Sequence, residues 1–368
     1  MNKIIKVLYV NGGTMDMGGI SSYMMNYYRH LDKTKVQIDF VVHGKKSIYD
    51  DEIQKTGGKI MHVPTKRENY LKNRLQLFKI MKAGNYQIIH CHMDAMNGMV
   101  LKLAQRAGIK IRISHSHNTN YLTNNKVKVM FHEVVKKEIP HYATQLWACS
   151  EAAGRWLYGR KNFEVIPNAI EITKFKFDEN SRDVIRKKLN IEGKYVIGHV
   201  GKFEYQKNHD FLIEIFADIA SYKPNAVLVL VGDGSKKEII EKKVRDLKLT
   251  DRVIFLGKRT DVNEILNAFD VFVMPSHYEG LPVVAVEAQT NGLKCVCSDT
   301  ITKEINITGN VIFIGLTECI EKWRNAICTK QERDRNAVNS VIEHGYSICD
   351  EAKELERRYI KLAMEANE

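Results

Sequence analysis

Short apolar runs alternate along the chain with stretches in which apolar residues recur every three or four positions. In the N-terminal half, strand-like runs occupy residues 6–10, 37–42, 59–63, 87–92 and 110–113. Helical spacing covers residues 18–31 and 69–82. Strands separated by helices are typical of parallel βαβ units. The pattern therefore predicts a doubly wound α/β domain in this half.

The same rhythm begins again beyond Pro167. Strand-like runs occupy residues 195–200, 226–231, 252–256, 271–274 and 295–297. Because proline interrupts the pattern, we place a boundary there, with an N-terminal domain of residues 1–168 and a C-terminal domain of residues 169–344. Residues 345–368 are predicted to form a helix that packs back towards the N-terminal domain. The fold class is α/β, with two Rossmann-like domains facing across a cleft.

Composition and charge narrow the class of protein. The chain has 368 residues, 44% hydrophobic and 27% charged, which excludes wholesale disorder. No apolar run approaches the ~18 residues of a membrane-spanning helix, and the N-terminus predicts a first strand rather than a signal peptide. The odd number of cysteines, seven, favours reduced thiols in a cytosolic protein.

The net charge of +12 is distributed unevenly between the two halves. Residues 1–168 hold 26 Lys and Arg against 12 Asp and Glu, whereas the remaining residues hold 30 against 32. A basic N-terminal half indicates an anionic partner: a nucleic acid, a membrane surface or a phosphorylated substrate.

The strongest local signal is the segment from Glu279 to Glu287. A strand ends before it, Gly280 lies in the turn, and a helix is predicted to begin near Pro282. Backbone N–H groups and the positive end of that helix would form an anion site. The two carboxylates would accept hydrogen bonds from sugar hydroxyls. Two solvated glutamates around an ordinary helix start would show the same spacing.

Two glycine-containing turns provide a second and a third signal. Lys202 and Lys207 follow a strand that ends at Gly201, and two cations beside a helix start would neutralise a diphosphate. The spacing differs from that of a Walker loop, and ordinary surface lysines would show it too. The pair Gly18 and Gly19 lacks the strict dinucleotide fingerprint, so NAD binding is disfavoured.

Two His-x-His segments are the fourth signal. His115 and His117 follow one strand, and we expect them to point to opposite sides of the extended chain, so that one could face the cleft. His90 and His92 repeat the spacing on another strand. The sequence leaves a shared cluster open, but a pair without a third ligand is a poor metal site. We therefore predict no metal.

These segments together resemble the retaining GT-B glycosyltransferases of family 4 over nearly the whole chain. Three motifs carry the resemblance: the E-x7-E motif (Glu279 to Glu287), the diphosphate-clamping loop (Gly201, Lys202 and Lys207) and the N-domain glycine loop (Gly18 and Gly19). Residues 297–304 are similar to a narrower branch, the EpsF-like enzymes of exopolysaccharide and capsule synthesis.

The resemblance implies roles for individual residues. Lys202 and Lys207 would hold the donor diphosphate, and Glu287 the ribose hydroxyls. Glu279 would contact the transferred sugar. The other donor-binding positions would be Gly18, Gly19, Gly201, Lys258, Gly280 and Leu281.

The resemblance also implies a mechanism. His117 matches the family's active-site histidine, with His115 as the fallback, and would be catalytic together with Glu279, Lys202 and Lys207. Transfer would retain the anomeric configuration by a front-face route and need neither metal nor cofactor. The co-substrate would be a nucleotide-sugar, for which we favour UDP over GDP.

The acceptor implied by the family is a lipid-linked saccharide at the inner face of the membrane. The basic N-terminal half would meet that anionic surface, and we expect a cytoplasmic protein, free or peripheral on the membrane. One patch interleaves Tyr70, Leu71, Leu75, Leu77, Phe78 and Met81 with Lys66, Arg67, Lys72, Arg74, Lys79 and Lys82. A second contains Lys126, Lys128, Met130, Phe131, Lys136 and Lys137. A packed helix with a solvated basic rim is the alternative.

Two other classes of protein stay open at this point. A sugar-nucleotide epimerase of related fold would use the same donor motifs. A nucleic-acid-binding protein would use the basic half, although no recognisable nucleic-acid module supports it, and we predict no nucleic-acid partner. The donor sugar, the acceptor, the linkage and the oligomeric state are not fixed by these motifs.

Overall fold

A computed structural model describes residues 4–16, 18–121 and 125–366 of the chain. The chain divides into two compact units. The first unit contains residues 1–169 and 348–368, and the second contains residues 170–347.

The first unit is built on a seven-stranded parallel sheet. The strands are β1 (Ile5–Asn11), β2 (Val36–His43), β3 (Ile60–Val63), β4 (Ile88–His92), β5 (Ile111–Ser116), β6 (Gln145–Ala148) and β7 (Glu164–Val165). Their order across the sheet is β3-β2-β1-β4-β5-β6-β7. The connecting helices are α1 (Gly19–His30), α2 (Asp50–Lys55), α3 (Tyr70–Ala83), α4 (Asn97–Ala107), α5 (Lys126–Tyr142) and α6 (Glu151–Tyr158).

The second unit repeats the design with six parallel strands. These are β8 (Tyr195–Val200), β9 (Ala226–Val231), β10 (Val253–Gly257), β11 (Val271–Met274), β12 (Lys294–Ser298) and β13 (Val311–Ile314), in the order β10-β9-β8-β11-β12-β13. Its helices are α7 (Ile172–Phe175), α8 (Glu179–Lys188), α9 (His209–Tyr222), α10 (Lys237–Asp246), α11 (Val262–Ala268), α12 (Val283–Thr290), α13 (Ile320–Cys328) and α14 (Ala337–Glu343).

Burial explains why the central strands lack polar alternation. Every residue of β9, with the sequence AVLVLV, is buried. Both faces of a parallel sheet are covered by its crossover helices, so its inner strands are apolar throughout. The prediction of two doubly wound α/β domains is confirmed by the two sheets.

The last helix, α15 (Ile348–Glu365), belongs to the first unit. Ala352, Leu355 and Tyr359 lie at helical spacing and are buried in that unit's apolar core. Glu356 forms an ion pair with Lys35, with 2.8 Å between Oε1 and Nζ. The chain's C-terminal segment therefore completes the first sheet's packing. Among the described residues, none of the helices is long and apolar enough to cross a membrane.

Candidate active site

The order of strands brings two loops of the second unit together. β8 pairs with β11 in parallel, although β9 and β10 lie between them in the sequence. The order of strands reverses between these two neighbours, and ligands of open α/β sheets bind at such a reversal, beyond the carboxyl ends of the strands. The loop after β8 carries Lys202 and Lys207, and the loop after β11 carries Glu279.

Direct contacts join these two loops. The backbone N–H of His277 donates to the carbonyl of Gln206 over 2.8 Å. The rings of Tyr205 and His277 are stacked, with 4.3 Å between their centroids. The site is therefore held by both backbone and side chains.

A buried ion pair occupies the centre of this site. Nζ of Lys207 lies 2.7 Å from Oε1 of Glu279, and the two side chains are only 14% and 7% exposed. Nε2 of Gln206 donates to Oε2 of the same carboxylate over 3.0 Å. The structure thus brings together two of the predicted catalytic residues. An ammonium held in a desolvated position interacts more strongly with an anion than an exposed one does.

Glycines allow the backbone to pass close to this ion pair. A Cβ atom on Gly201 would lie 3.0 Å from both Cγ and Cδ of Lys207. Gly232, which follows β9, has a φ of +140°, and a Cβ atom there would lie 2.0 Å from the carbonyl oxygen of Gly201. Only glycine fits at position 232, because the adjacent loop backbone occupies the space.

Glu287 lies on the helix that follows the site. It is on the second turn of α12, half-buried, and burial raises the pKa of its carboxyl group to about 7. Within the described part of the chain no side chain pairs with this carboxylate. Pro282 is the N-cap residue of α12 rather than part of its first turn, and it offers no capping side chain.

The remaining predicted donor-binding residues are divided between the two units. Lys202 is exposed, and so is Lys258, whose Nζ lies 4.0 Å from Oδ2 of Asp233. Gly280 and Leu281 are buried in the turn before α12. In the first unit, Gly18 is the extended N-cap of α1, and Gly19 is its first residue.

The prediction that His115 and His117 point to opposite sides of the chain is wrong. Their rings are stacked, with centroids 4.2 Å apart and planes 12° apart. Side chains along a strand alternate with a period of two, so residues i and i+2 share a face. His117 keeps some exposed surface (7%), whereas His115 has none.

An acidic residue that the sequence reasoning did not single out holds His117 in place. The backbone N–H of His117 donates to Oδ1 of Asp94 over 2.7 Å, and Nδ2 of Asn118 donates to Oδ2 over 2.6 Å. Asp94 follows β4 and has a φ of +49°. Its position directly after the His90-x-His92 strand end was the available signal, because polar residues gather at carboxyl ends of parallel strands.

Comparisons with known proteins decide the family. Residues 17–174 match the family described as "Glycosyltransferase Family 4", and residues 181–340 match "Glycosyl transferases group 1". The chain is 37% identical over 335 residues to the "Putative glycosyltransferase EpsF" of Bacillus subtilis, covering 88% of this chain and 86% of that protein. The chain belongs to glycosyltransferase family 4.

Two further proteins are similar to this glycosyltransferase. One is the "UDP-Gal:alpha-D-GlcNAc-diphosphoundecaprenol alpha-1,3-galactosyltransferase" of Escherichia coli, 31% identical over 80% of both chains. The other is the crystal structure of HepE from Anabaena in complex with UDP, with a TM-score of 0.70, 17% identity and coverage of 99% of this chain and 98% of that one.

These findings confirm the predicted GT-B fold and the resemblance to the EpsF-like branch. They leave the roles of individual residues as predictions. For this glycosyltransferase the geometry adds Gln206 and Asp94, which contact predicted catalytic residues directly. Gln206 lies inside the diphosphate-clamping loop but was given no role there, and Asp94 lies outside the three motifs.

Proposed function

We propose that this glycosyltransferase moves a sugar from a UDP-sugar to a lipid-linked saccharide, with retention of configuration, in exopolysaccharide or capsule synthesis. The observation that carries the proposal is the buried Lys207–Glu279 pair at the reversal point of the second sheet. The E. coli relative named for UDP-galactose and a diphosphoundecaprenol acceptor supports the choice of both substrates. HepE, crystallised with UDP, supports the choice of nucleotide.

The donor diphosphate would lie against Lys207, with Lys202 and Lys258 reaching in from the exposed side. Negative charge grows on the diphosphate as the sugar departs, and a preorganised ammonium stabilises it where it develops. Glu279 would hold a hydroxyl of the transferred sugar, and Glu287 the ribose hydroxyls. The nucleotide would approach the backbone near Gly201 and the buried turn at Gly280 and Leu281.

The partners of Glu279 favour a front-face route over a covalent intermediate. Oε1 forms an ion pair with Lys207 and Oε2 accepts a hydrogen bond from Gln206, which weakens the carboxylate as a nucleophile. In the front-face route the bond from the sugar carbon to the diphosphate breaks, and the acceptor oxygen bonds to that carbon on the same face. The acceptor's proton passes to a phosphate oxygen of the departing UDP. His117 would orient the reacting sugar or the acceptor.

The charge provided by Lys207 also supports chemistry at the diphosphate without a divalent ion. The decisive experiment incubates the protein with UDP-, GDP- and ADP-sugars and a GlcNAc-diphosphate lipid, with and without Mg²⁺. We expect an α-linked product from one UDP-sugar, formed at equal rates in both conditions, with the anomeric configuration read by NMR. An inverted product would contradict the mechanism. Epimerised donor formed without acceptor would identify an epimerase instead.

We also propose that α3 and α5 bind an anionic membrane surface. Both helices pack against α4 and turn basic, apolar faces outwards. Leu71 on α3 is 77% exposed, and Val127 on α5 is 71% exposed. The exposed apolar residues of the two helices are Tyr70, Leu71, Leu75, Val127, Met130, Phe131 and Val134. Leu77 and Met81, predicted for this patch, are instead buried in the core.

The membrane proposal predicts a loss of vesicle binding when an acidic residue replaces one of these apolar side chains. Burying a leucine is worth about 1.5–3 kcal/mol, so Leu71→Glu should weaken binding to vesicles containing phosphatidylglycerol by about tenfold or more in cosedimentation. High salt should weaken it as well, because each Lys or Arg adds about 1 kcal/mol near an anionic leaflet.

The matched control for this experiment is Val184→Glu on α8 in the second unit, where an apolar residue that is 64% exposed lies outside the proposed surface. It should bind vesicles as the wild type does. Equal binding of the wild type to vesicles of phosphatidylcholine alone, or equal losses in both variants, would rule out the proposed surface.

A further inference from the structure

Four histidines form one contiguous cluster in the core of the first unit. β4 ends with His90 and His92, and the neighbouring parallel strand β5 carries His115, with His117 immediately after it. Ring centroids are 4.1 Å apart within the first pair and 5.1 Å apart between His90 and His115. Two His-x-His segments on adjacent strands therefore place four imidazoles on one face of the sheet.

The hydrogen bonds of this cluster leave two ring nitrogens without a partner. Nε2 of His90 lies 3.0 Å from Nδ1 of His115, and Nδ1 of His92 lies 2.8 Å from Nε2 of His117. Nε2 of His92 and Nε2 of His115 have no partner among the described residues, although both side chains are fully buried. An unsatisfied polar atom in a core is destabilising, so a bound group that engages these atoms would be stabilising.

The tautomers open to the cluster suit metal coordination. Neutral imidazole is the form that ligates metals. When Nδ1 of His92 and of His115 carries the proton, the unpartnered Nε2 atoms present lone pairs into the cluster. His90 would keep its Nδ1 proton on Tyr359 and turn the lone pair of its Nε2 from Nδ1 of His115 to the ion.

We propose that His90, His92 and His115 bind one transition-metal ion of the zinc class. One ring nitrogen from each of the three lies within 4.8 Å of the other two. Tetrahedral Zn–N bonds of about 2.0–2.1 Å place the nitrogens about 3.4 Å apart, so the three rings would close around the ion, and three histidines leave a fourth position open. This inference does not depend on the proposed sugar donor or acceptor.

The ligand atoms and their outer contacts indicate which class of ion the site would bind. Nδ1 of His90 lies 2.7 Å from the hydroxyl of Tyr359 on α15, an outer contact of the kind that fixes the tautomer of a ligating histidine. Imidazole nitrogens suit zinc, copper and nickel, whereas magnesium and calcium need the oxygen ligands that this histidine triad does not supply. The ion would join β4 to β5 and, through His92, position the ring of His117.

The test measures the metal content of the full-length protein grown in zinc-supplemented medium. We expect one zinc ion per chain by elemental analysis. After removal of the ion with a chelator, titration with Co²⁺ should give the visible absorption bands of a nitrogen-coordinated site at one equivalent. The variants His92→Gln and His115→Gln should lose both signals.

A matched control separates this site from adventitious surface histidines. His43→Gln replaces another buried histidine of the same unit, whose Nδ1 lies 2.7 Å from the carbonyl oxygen of Asn11, and it should keep one ion per chain. If the cluster variants fail to fold, the wild type still provides a readout, because its thermal midpoint should rise with Zn²⁺ and not with Mg²⁺. A wild type without bound zinc and without cobalt bands, or equal binding by His92→Gln, would overturn the proposal.

Discussion

Replacing Lys207 by methionine is expected to lower kcat/KM for sugar transfer by about 10²–10³, the usual effect of removing one preorganised group that stabilises the charge of the transition state. The Lys207 ammonium lies 2.7 Å from Oε1 of Glu279, and the Lys207 side chain is only 14% exposed. Methionine keeps the apolar stem that packs over Gly201 but removes the charge that faces the leaving diphosphate. The measurement is the initial rate of transfer from the preferred donor.

A double variant separates two causes of that loss. Lys207→Met alone leaves the Glu279 carboxylate buried without its cation, which is itself destabilising. Lys207→Met combined with Glu279→Gln removes the stranded charge. Because Glu279 is itself predicted to contact the transferred sugar, the double variant is compared with Glu279→Gln alone. If the diphosphate needs the ammonium, the double variant is much less active than Glu279→Gln. Equal activity of these two variants would show that Lys207 only neutralises Glu279.

The control for this series is Lys242→Met on α10. That side chain is 70% exposed and pairs with Asp246 one helical turn away. Its removal should leave the kinetics within twofold of the wild type, since exposed ion pairs contribute little. Wild-type kcat/KM in Lys207→Met would contradict the assignment of the donor site.

The periodicity of the sequence was sufficient to predict the strongly patterned elements. The fully apolar run of β9 predicted a strand, and the helical spacing of residues 18–31 predicted α1. The two-residue strand β7 has no periodic signal, because its length is set by pairing with β6. The order of strands in each sheet could not be predicted either, because it depends on which crossover connections pack together rather than on the local sequence pattern.

The difference between local patterns and long-range contacts also explains which parts of the site could be predicted. The spacing from Glu279 to Glu287 is local and indicates a turn followed by a helix. The contact between Lys207 and Glu279 joins residues far apart in the sequence and exists because β8 lies beside β11. The histidine cluster was accessible in part: a period of two puts His115 and His117 on one face, but the pairing of β4 with β5 requires the sheet.

Glu287 should make the affinity for a UDP-sugar depend on pH. Burial raises the pKa of its carboxyl group from 4.5 to about 7, so in the folded protein the group becomes fully ionised only above that value. Because folding raises this pKa, the contribution of Glu287 to stability is present below pH 4.5 and is lost as the pH rises towards 7. Binding of the ribose hydroxyls should instead strengthen as the pH rises, since the ionised carboxylate is the stronger hydrogen-bond acceptor.

We therefore expect the affinity for UDP-glucose, measured by calorimetry, to rise between pH 6 and pH 8 by up to about tenfold per pH unit below the pKa. UDP-glucose is the suitable probe because its diphosphate diester does not titrate in this range. Glu287→Gln should bind with little pH dependence, and Glu287→Ala about 10–100-fold more weakly than the wild type at pH 8, because hydrogen bonds to a charged group contribute about 1.5–3 kcal/mol each.

The control is Glu238→Gln, which alters an exposed glutamate on α10 and should keep the wild-type profile. If Glu287→Gln retains the full pH dependence, another group titrates with the donor, and the ribose assignment of Glu287 fails. If the affinity of the wild type for UDP-glucose does not change with pH while Glu287→Ala binds weakly, the carboxylate is already ionised at pH 6. The bound nucleotide would then be drawing the pKa of Glu287 down, as a ligand must when it binds the ionised form more tightly.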